Sequence, residues 1–303
     1  MNKELGLLQK LIRLYTFYSP IRKGKYRLSL FAMKLTKKVP EEVLAISSDG
    51  RRLWVNLKFD SQVFTYFLGE YEPVITNTIR TIIKPTDICL DIGANIGWYT
   101  TLLQKNLGKH GEIHSFEPVP PTFKVLEKNV KLNDSDCVVN LNNCALGESE
   151  KEVRLNLFEN LPDGHASISD YGRTDIISFD SQMTTIDTYL SNNKVGEVTF
   201  IKADIEGSEL SMLKGASKLF SQKRPPIFEI EMALDTTQSF NYTPNDLIDF
   251  INTQVPYDFY AIDEDSGTLR KIEGFAPDHR GANVLCVPNG FYQERLSKLN
   301  LKN

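Results

Sequence analysis

Cysteine and histidine are both scarce, with four of each in 303 residues. Cys89, Cys137, Cys144 and Cys286 lie too far apart for the close pairs of a zinc site and too thinly for a secreted disulfide scaffold. This sparing use predicts a reduced, cytoplasmic setting, with Cys89 and Cys286 as small core residues in apolar strand runs. The scattered histidines supply no ligand spacing, so no metal is expected. No uninterrupted apolar stretch is long enough to cross a membrane, and a signal-peptide core is not expected. Internal repeats and low-complexity segments are also lacking. What is present suits a globular chain with a full core: 41% hydrophobic, 24% charged and 10% aromatic residues.

Charge is shared unevenly. The chain carries −4, but residues 1–40 hold ten Lys/Arg against one acid, Glu4, which gives +9 there and −13 elsewhere. In this arm Leu8, Leu11, Ile12, Tyr15 and Tyr18 form one face of a helix, with Lys10 and Arg13 elsewhere on the wheel. Two readings follow. The face packs on the main domain or a second subunit, which leaves a homo-oligomer open, or it makes peripheral contact with an acidic membrane or a lipid-linked substrate. Amphipathic helices usually bury their stripe against protein, which favours the first. Nucleic acid is not expected as a partner, because the acidic remainder has no basic stripe interleaved with aromatics.

The most informative segment is Asp87-Ile-Cys-Leu-Asp-Ile-Gly-Ala-Asn-Ile-Gly-Trp-Tyr-Thr100. Residues 88–92 read as a buried parallel strand, Gly93 and Gly97 as a tight turn, and residues 98–106 as a helix. A second apolar run at residues 112–116 ends in Glu117, placed to accept hydrogen bonds from ribose hydroxyls. A dinucleotide fingerprint would need glycines where Asn95 and Trp98 stand, so a pyrophosphate is disfavoured. S-adenosylmethionine, which has no phosphate, fits better. Asp91 and Asn95 suit its ammonium, with free N–H groups of the turn near its carboxylate.

From these residues on, the chain resembles the FkbM-type methyltransferases of the class I adenosylmethionine-dependent superfamily. The resemblance runs through Gly69-Glu-Tyr-Glu-Pro73, Leu90-Asp-Ile-Gly-Ala-Asn-Ile-Gly97, Phe116-Glu-Pro118, Asn143-Cys-Ala-Leu146, Gly164-His-Ala-Ser167 and Phe200-Ile-Lys-Ala-Asp-Ile-Glu-Gly-Ser-Glu209. It covers roughly residues 46–290. Ala203 departs from it, since such sequences usually have an acid there. The resemblance implies methylation of a hydroxyl on a sugar, glycan or secondary metabolite, with S-adenosylhomocysteine as product.

The order of elements predicts an α/β protein with an open, mainly parallel sheet and helices on both faces. The resemblance sets this as a Rossmann-like class I methyltransferase fold of seven strands, after a helical arm and small β-hairpin. Three regions are expected: arm, hairpin and cap over residues 1–80, a catalytic domain over 81–290, and a tail over 291–303. Residues 161–173 read as a loop over the site, and 209–219 as one helix.

Ligands of such sheets lie beyond the carboxyl ends of central strands. The expected cofactor residues are Asp91, Gly93, Asn95, Gly97, Glu117, Asn143 and Ala145, with the Asn143 amide addressing the adenine edge. Asp204, Glu206 and His165 are the candidate bases for a hydroxyl acceptor, Asp204 and Glu206 sharing a face if the strand continues through them. Glu209 suits a first helical turn, and Glu229 with Glu231 the acceptor side. A module that binds adenosylmethionine without catalysis and a metal-assisted O-methyltransferase stay open, although no third metal ligand is evident. A nicotinamide enzyme would need the absent glycine spacing.

Overall fold

The computed structural model describes residues 5–21, 23–34, 41–158, 166–169, 176–276 and 279–302. Its strands are β1 (Val43–Ile46), β2 (Arg52–Val55), β3 (Ile88–Ile92), β4 (Glu112–Phe116), β5 (Val138–Asn142), β6 (Ala145–Leu146), β7 (Lys151–Phe158) and β8 (Ala166–Ser167). They continue as β9 (Ile176–Thr184), β10 (Phe200–Ala203), β11 (Ile227–Ala233), β12 (Tyr257–Asp263), β13 (Thr268–Ile272), β14 (Gly281–Pro288) and β15 (Leu301–Lys302).

Nine of them form one sheet in the order β15-β13-β12-β14-β11-β10-β3-β4-β5. From β11 to β5 every neighbour is parallel, and β14 enters antiparallel between β11 and β12. The expected seven strands run from β12 to β5, and β13 and β15 extend that edge. β13 arises because Gly267, at φ +68°, closes a hairpin that its short polar sequence does not announce. A second sheet, β6-β9-β7-β8, takes in Ala166–Ser167 of the segment expected to be a loop. Its long strand β9 is largely polar and half-buried, and pairs with the whole length of β7 from Lys151↔Met183 to Phe158↔Ile176.

The main sheet separates two cores. Leu90, Ile92, Ile201, Phe228 and Ile230 face one side, with the helices Glu209–Lys214 and Pro244–Gln254; Cys89, Phe200, Ile227 and Leu285 face the other, with Pro73–Ile82 and Trp98–Asn106. Local chemistry fixes the helix ends. Thr243 and Asp246 form a capping box, while Glu264 reaches from the β12–β13 hairpin to accept from the Val74 and Ile75 amides at 3.1 and 2.9 Å. The helix expected over 209–219 breaks at Gly215, where a Cβ would lie 2.1 Å from the Gly147 carbonyl oxygen.

The hairpin β1–β2 is fastened to the first crossover helix by Arg51, which pairs with Asp49 at 2.9 Å, lies over the Trp98 ring and donates to the Trp98 carbonyl at 2.6 Å. Preceding it, the helices Leu7–Tyr18 and Lys25–Lys34 pack on the helix Asp60–Leu68. Among Leu8, Leu11, Ile12, Tyr15 and Tyr18 only Ile12 is buried, so packing of that face on the domain is corrected. Polar anchors on the opposite side of the helix set its orientation instead. No helix among the described residues is long and apolar enough to cross a membrane.

At the other end, Tyr292 and Leu296 are buried, and Arg295 makes a two-pronged ion pair with buried Asp87 at 2.6 and 3.0 Å. Breaking a buried pair from one side strands the other charge. Arg295→Met is expected to lower stability by about 3–5 kcal/mol in urea unfolding, and adding Asp87→Asn to recover part of that loss.

Candidate active site

Along β3, β10 and β11 the face towards the helix Trp98–Asn106 is apolar at the strand starts and ionisable at the carboxyl ends. Asp91, Lys202 and Glu229 stand side by side in register across the three strands. Lys202, 1% exposed, ion-pairs with Glu229 at 3.1 Å and Asp204 at 3.3 Å, and its ammonium lies 5.1 Å from the centre of the Tyr99 ring. The Tyr99 hydroxyl donates to Glu72 in turn. Burial pushes the Glu72 and Glu229 carboxyls up to about 7, against the downward pull of Lys202. Glu231 is pushed further, to about 9, by burial and then by the neighbouring charges of Asp204 and Glu209.

A pocket opens over these strand ends. Its walls come from Gly93–Ile96, Phe116–Pro118, Cys144–Leu146, the 204–206 turn, and Ser61, Gln62 and Thr65 of the helix Asp60–Leu68. Trp98, Tyr99 and Ser167 also line it. Of the expected cofactor residues, Gly93, Asn95, Glu117 and Ala145 lie in the wall. Glu117 accepts from the Asn95 and Val119 amides, both at 2.9 Å, and burial still raises it to about 7.

The other expected residues do not line this pocket. Asp91 is 1% exposed and accepts from Thr100 Oγ1 at 2.5 Å, so it ties the strand to the helix after the turn; burial lifts it to about 6. Gly97, at φ +93°, is a packing glycine whose Cβ would meet Leu126 at 2.7 Å. Asn143 points its amide at the Glu117 carbonyl, 2.8 Å away, and its successors Cys144 to Leu146 form the wall. Four of the turn amides expected near a carboxylate are already engaged. Gly93 and Ala94 donate to the Phe116 carbonyl, Gly97 to Ala94, and Asn95 to Glu117.

Asp204 and Glu206 both reach the pocket. The strand ends at Ala203, so a turn rather than the strand pleat brings them together, with Glu206 and Gly207 in the left-handed region at φ +56° and +96°. Glu231 joins them, with carboxylate oxygens of all three within 4.8 Å of one another. It is the third carboxylate that was not evident from the sequence. Glu209 is fully buried and closes the turn, accepting from the Ile205 amide at 3.0 Å and the Tyr242 hydroxyl at 3.0 Å. His165 lies outside the described residues.

Sequence reading assigned no role to Lys202, Glu72 or Tyr99. A lysine inside the apolar run Phe200-Ile-Lys-Ala203 was the available signal, because a buried lysine demands partners. Among the described residues Lys202 is the one cation lining the pocket, against the carboxylates Glu117, Asp204 and Glu206. A cationic ligand without phosphate fits this lining, and a diphosphate does not.

Asp91, Glu72, Glu117, Glu229 and Glu231 all hold protons more tightly when folded. The stability this contributes is fully present below about pH 4 and is lost as pH rises through about 6 to 9. The melting temperature of the ligand-free protein is expected to fall across that window, and Glu231→Gln to flatten its alkaline part, read by calorimetry at a series of pH values.

Residues 91–259 match the family model described as the methyltransferase FkbM domain. The chain is 25% identical over 143 residues to Methyltransferase 1 of Beauveria bassiana, covering 42% of this chain and 57% of that protein. It is 26% identical over 157 residues to methyltransferase sdnD of Sordaria araneosa, covering 43% and 60% respectively. It thus spans less than two thirds of the length of these curated relatives. Among solved structures, TYW2 of M. jannaschii in complex with AdoMet aligns with a TM-score of 0.41 at 13% identity, covering 83% of this chain and 86% of that one. With more than half of its length matched by the family model, including the turn and both carboxylate-bearing strand ends, the chain belongs to the FkbM methyltransferase family.

Proposed function

We propose that the protein transfers the methyl group of S-adenosylmethionine to a hydroxyl of a small-molecule or glycan acceptor, leaving S-adenosylhomocysteine. The observation that carries this reading is the charge of the pocket: three carboxylates and one lysine, beside a turn in which the Gly93, Ala94, Asn95 and Gly97 amides already have acceptors. When bound, the cofactor supplies an electrophilic methyl on a sulfonium with a neutral leaving group. Gly93 to Ile96 and Cys144 to Leu146 would hold it, with Glu117 presenting its remaining acceptor capacity to the ribose hydroxyls.

The chain's own part is alignment, exclusion of water and removal of one proton. Lys202 holds one oxygen of Asp204 at 3.3 Å, which orients that carboxylate and leaves the other oxygen for an acceptor hydroxyl. Glu206 stands beside it on the same turn and forms the second arm of the acceptor site. Glu231, with its raised proton affinity, keeps its proton at physiological pH and so lowers the negative charge of the group. A module that only binds adenosylmethionine has no need of this convergence of acids. The convergence also suits a divalent cation, so the metal-assisted reading rests on the same three residues.

Incubation with methyl-labelled donor against fractionated glycans and metabolites, with mass detection of product, identifies the acceptor. Asp204→Asn and Glu206→Gln are expected to lower kcat by about 10²–10⁴-fold while calorimetry finds adenosylmethionine affinity retained. Unchanged turnover in both removes them from the mechanism. Turnover that survives a chelator supports the acid–base reading, and loss restored by added Mg²⁺ favours the metal-assisted one. Tight NAD binding without adenosylmethionine binding would overturn the assignment.

A further inference from the structure

The helix Leu7–Tyr18 turns its apolar side outwards. At about 100° per residue, Leu7, Leu8, Leu11, Leu14, Tyr15 and Tyr18 fall within an arc of about 120°. All six are exposed, from 49% at Tyr15 to 75% at Leu7. Gln9, Ile12 and Thr16 face the protein instead. Specific contacts hold that orientation. Thr16 Oγ1 donates to the Phe67 carbonyl at 2.7 Å, and Arg13 donates to the Tyr66 carbonyl at 3.1 Å with its guanidinium 4.5 Å from the centre of the Tyr66 ring. The helix cannot roll its leucines inwards without breaking them.

Ile21 and Phe31, at 59% and 53% exposure, extend the apolar surface towards the second helix, where Lys23 and Arg27 are also exposed. In sequence, residues 1–40 carry +9, while the rest of the chain carries −13.

We propose that this arm is a peripheral membrane-docking element, seated on the surface of a bilayer rich in anionic lipid. An exposed apolar stripe together with an excess of positive charge suits the boundary between headgroups and acyl chains, where the stripe is buried and the basic residues meet acidic lipid. A two-fold pairing with a second copy would bury the same stripe but bring two arms of +9 together. The mounting of the arm gives the contact a purpose. The helix Asp60–Leu68 carries the arm through Tyr66 and Phe67, and lends Ser61, Gln62 and Thr65 to the pocket wall. A docked enzyme therefore holds one wall of its acceptor pocket through the element that touches the lipid, an arrangement fitted to a membrane-borne acceptor.

Flotation of the full-length protein with vesicles of phosphatidylglycerol and phosphatidylcholine, compared with phosphatidylcholine alone, tests this. Wild type is expected to float with the anionic vesicles, less with the neutral ones, and less again as salt is raised. Leu11→Glu with Leu14→Glu is expected to lower the floated fraction by about tenfold or more, with melting temperature and adenosylmethionine affinity unchanged because both side chains face solvent. Wild-type protein that stays in the soluble fraction at low salt overturns the proposal. So does light scattering that finds a dimer in wild type and a monomer in the double variant, which assigns the stripe to a second copy.

Discussion

One buried lysine holds the middle of the sheet together electrostatically. Lys202 has no exposure to speak of, and its charge is sustained by Asp204, Glu229 and Glu72, which come from three separate parts of the chain. The dependence is mutual. Glu229 is fully buried beside it, and without that cation its charge would stand alone among Tyr99, Glu72 and Cys286. Burial makes Glu72 and Glu229 keep protons that they would lose in water, and the one positive charge of Lys202 offsets this only in part. A cation arriving from outside would meet groups ready to give those protons up. The fold thus stores, in the sheet itself, an appetite for positive charge at the place where the parallel strands end.

How much of this was legible depends on the distance over which each residue finds its partner. The strands Ile88–Ile92, Glu112–Phe116 and Val138–Asn142 and the helix Trp98–Asn106 have the bounds that their apolar spacing and glycine punctuation imply, because those signals are local. Gly93, Asn95, Glu117 and Ala145, singled out from the turn and strand tips that contain them, line the pocket. Asp91 and Asn143 were read from the same local pattern but hydrogen-bond to Thr100 and to the Glu117 carbonyl, and the pattern does not say which way a side chain turns.

The remainder was hidden by non-local causes. β9 is held by its ladder with β7 rather than by any apolar alternation of its own. Lys202 acquires meaning only when β3 and β11 lie on either side of it, and Glu231 joins Asp204 only when the sheet is assembled. The arm deceived in the opposite sense. Its leucine spacing was plain, but the contacts that orient the helix belong to Thr16 and Arg13, which the hydrophobic pattern treats as bystanders.

Gly93 has a consequence for how such an enzyme changes over time. A Cβ there would lie 2.0 Å from the Asp204 carbonyl oxygen, so the cofactor turn and the carboxylate turn touch backbone to backbone. Neither turn can shift without the other, so the spacing of Gly93 and Asp204 is fixed as a unit. The helix Asp60–Leu68 meets the pocket from outside that joint, whereas Ser167 is tied to it through its hydroxyl, which donates to the Glu206 carbonyl at 3.2 Å. The wall supplied by that helix can therefore be reshaped without moving the two turns against each other.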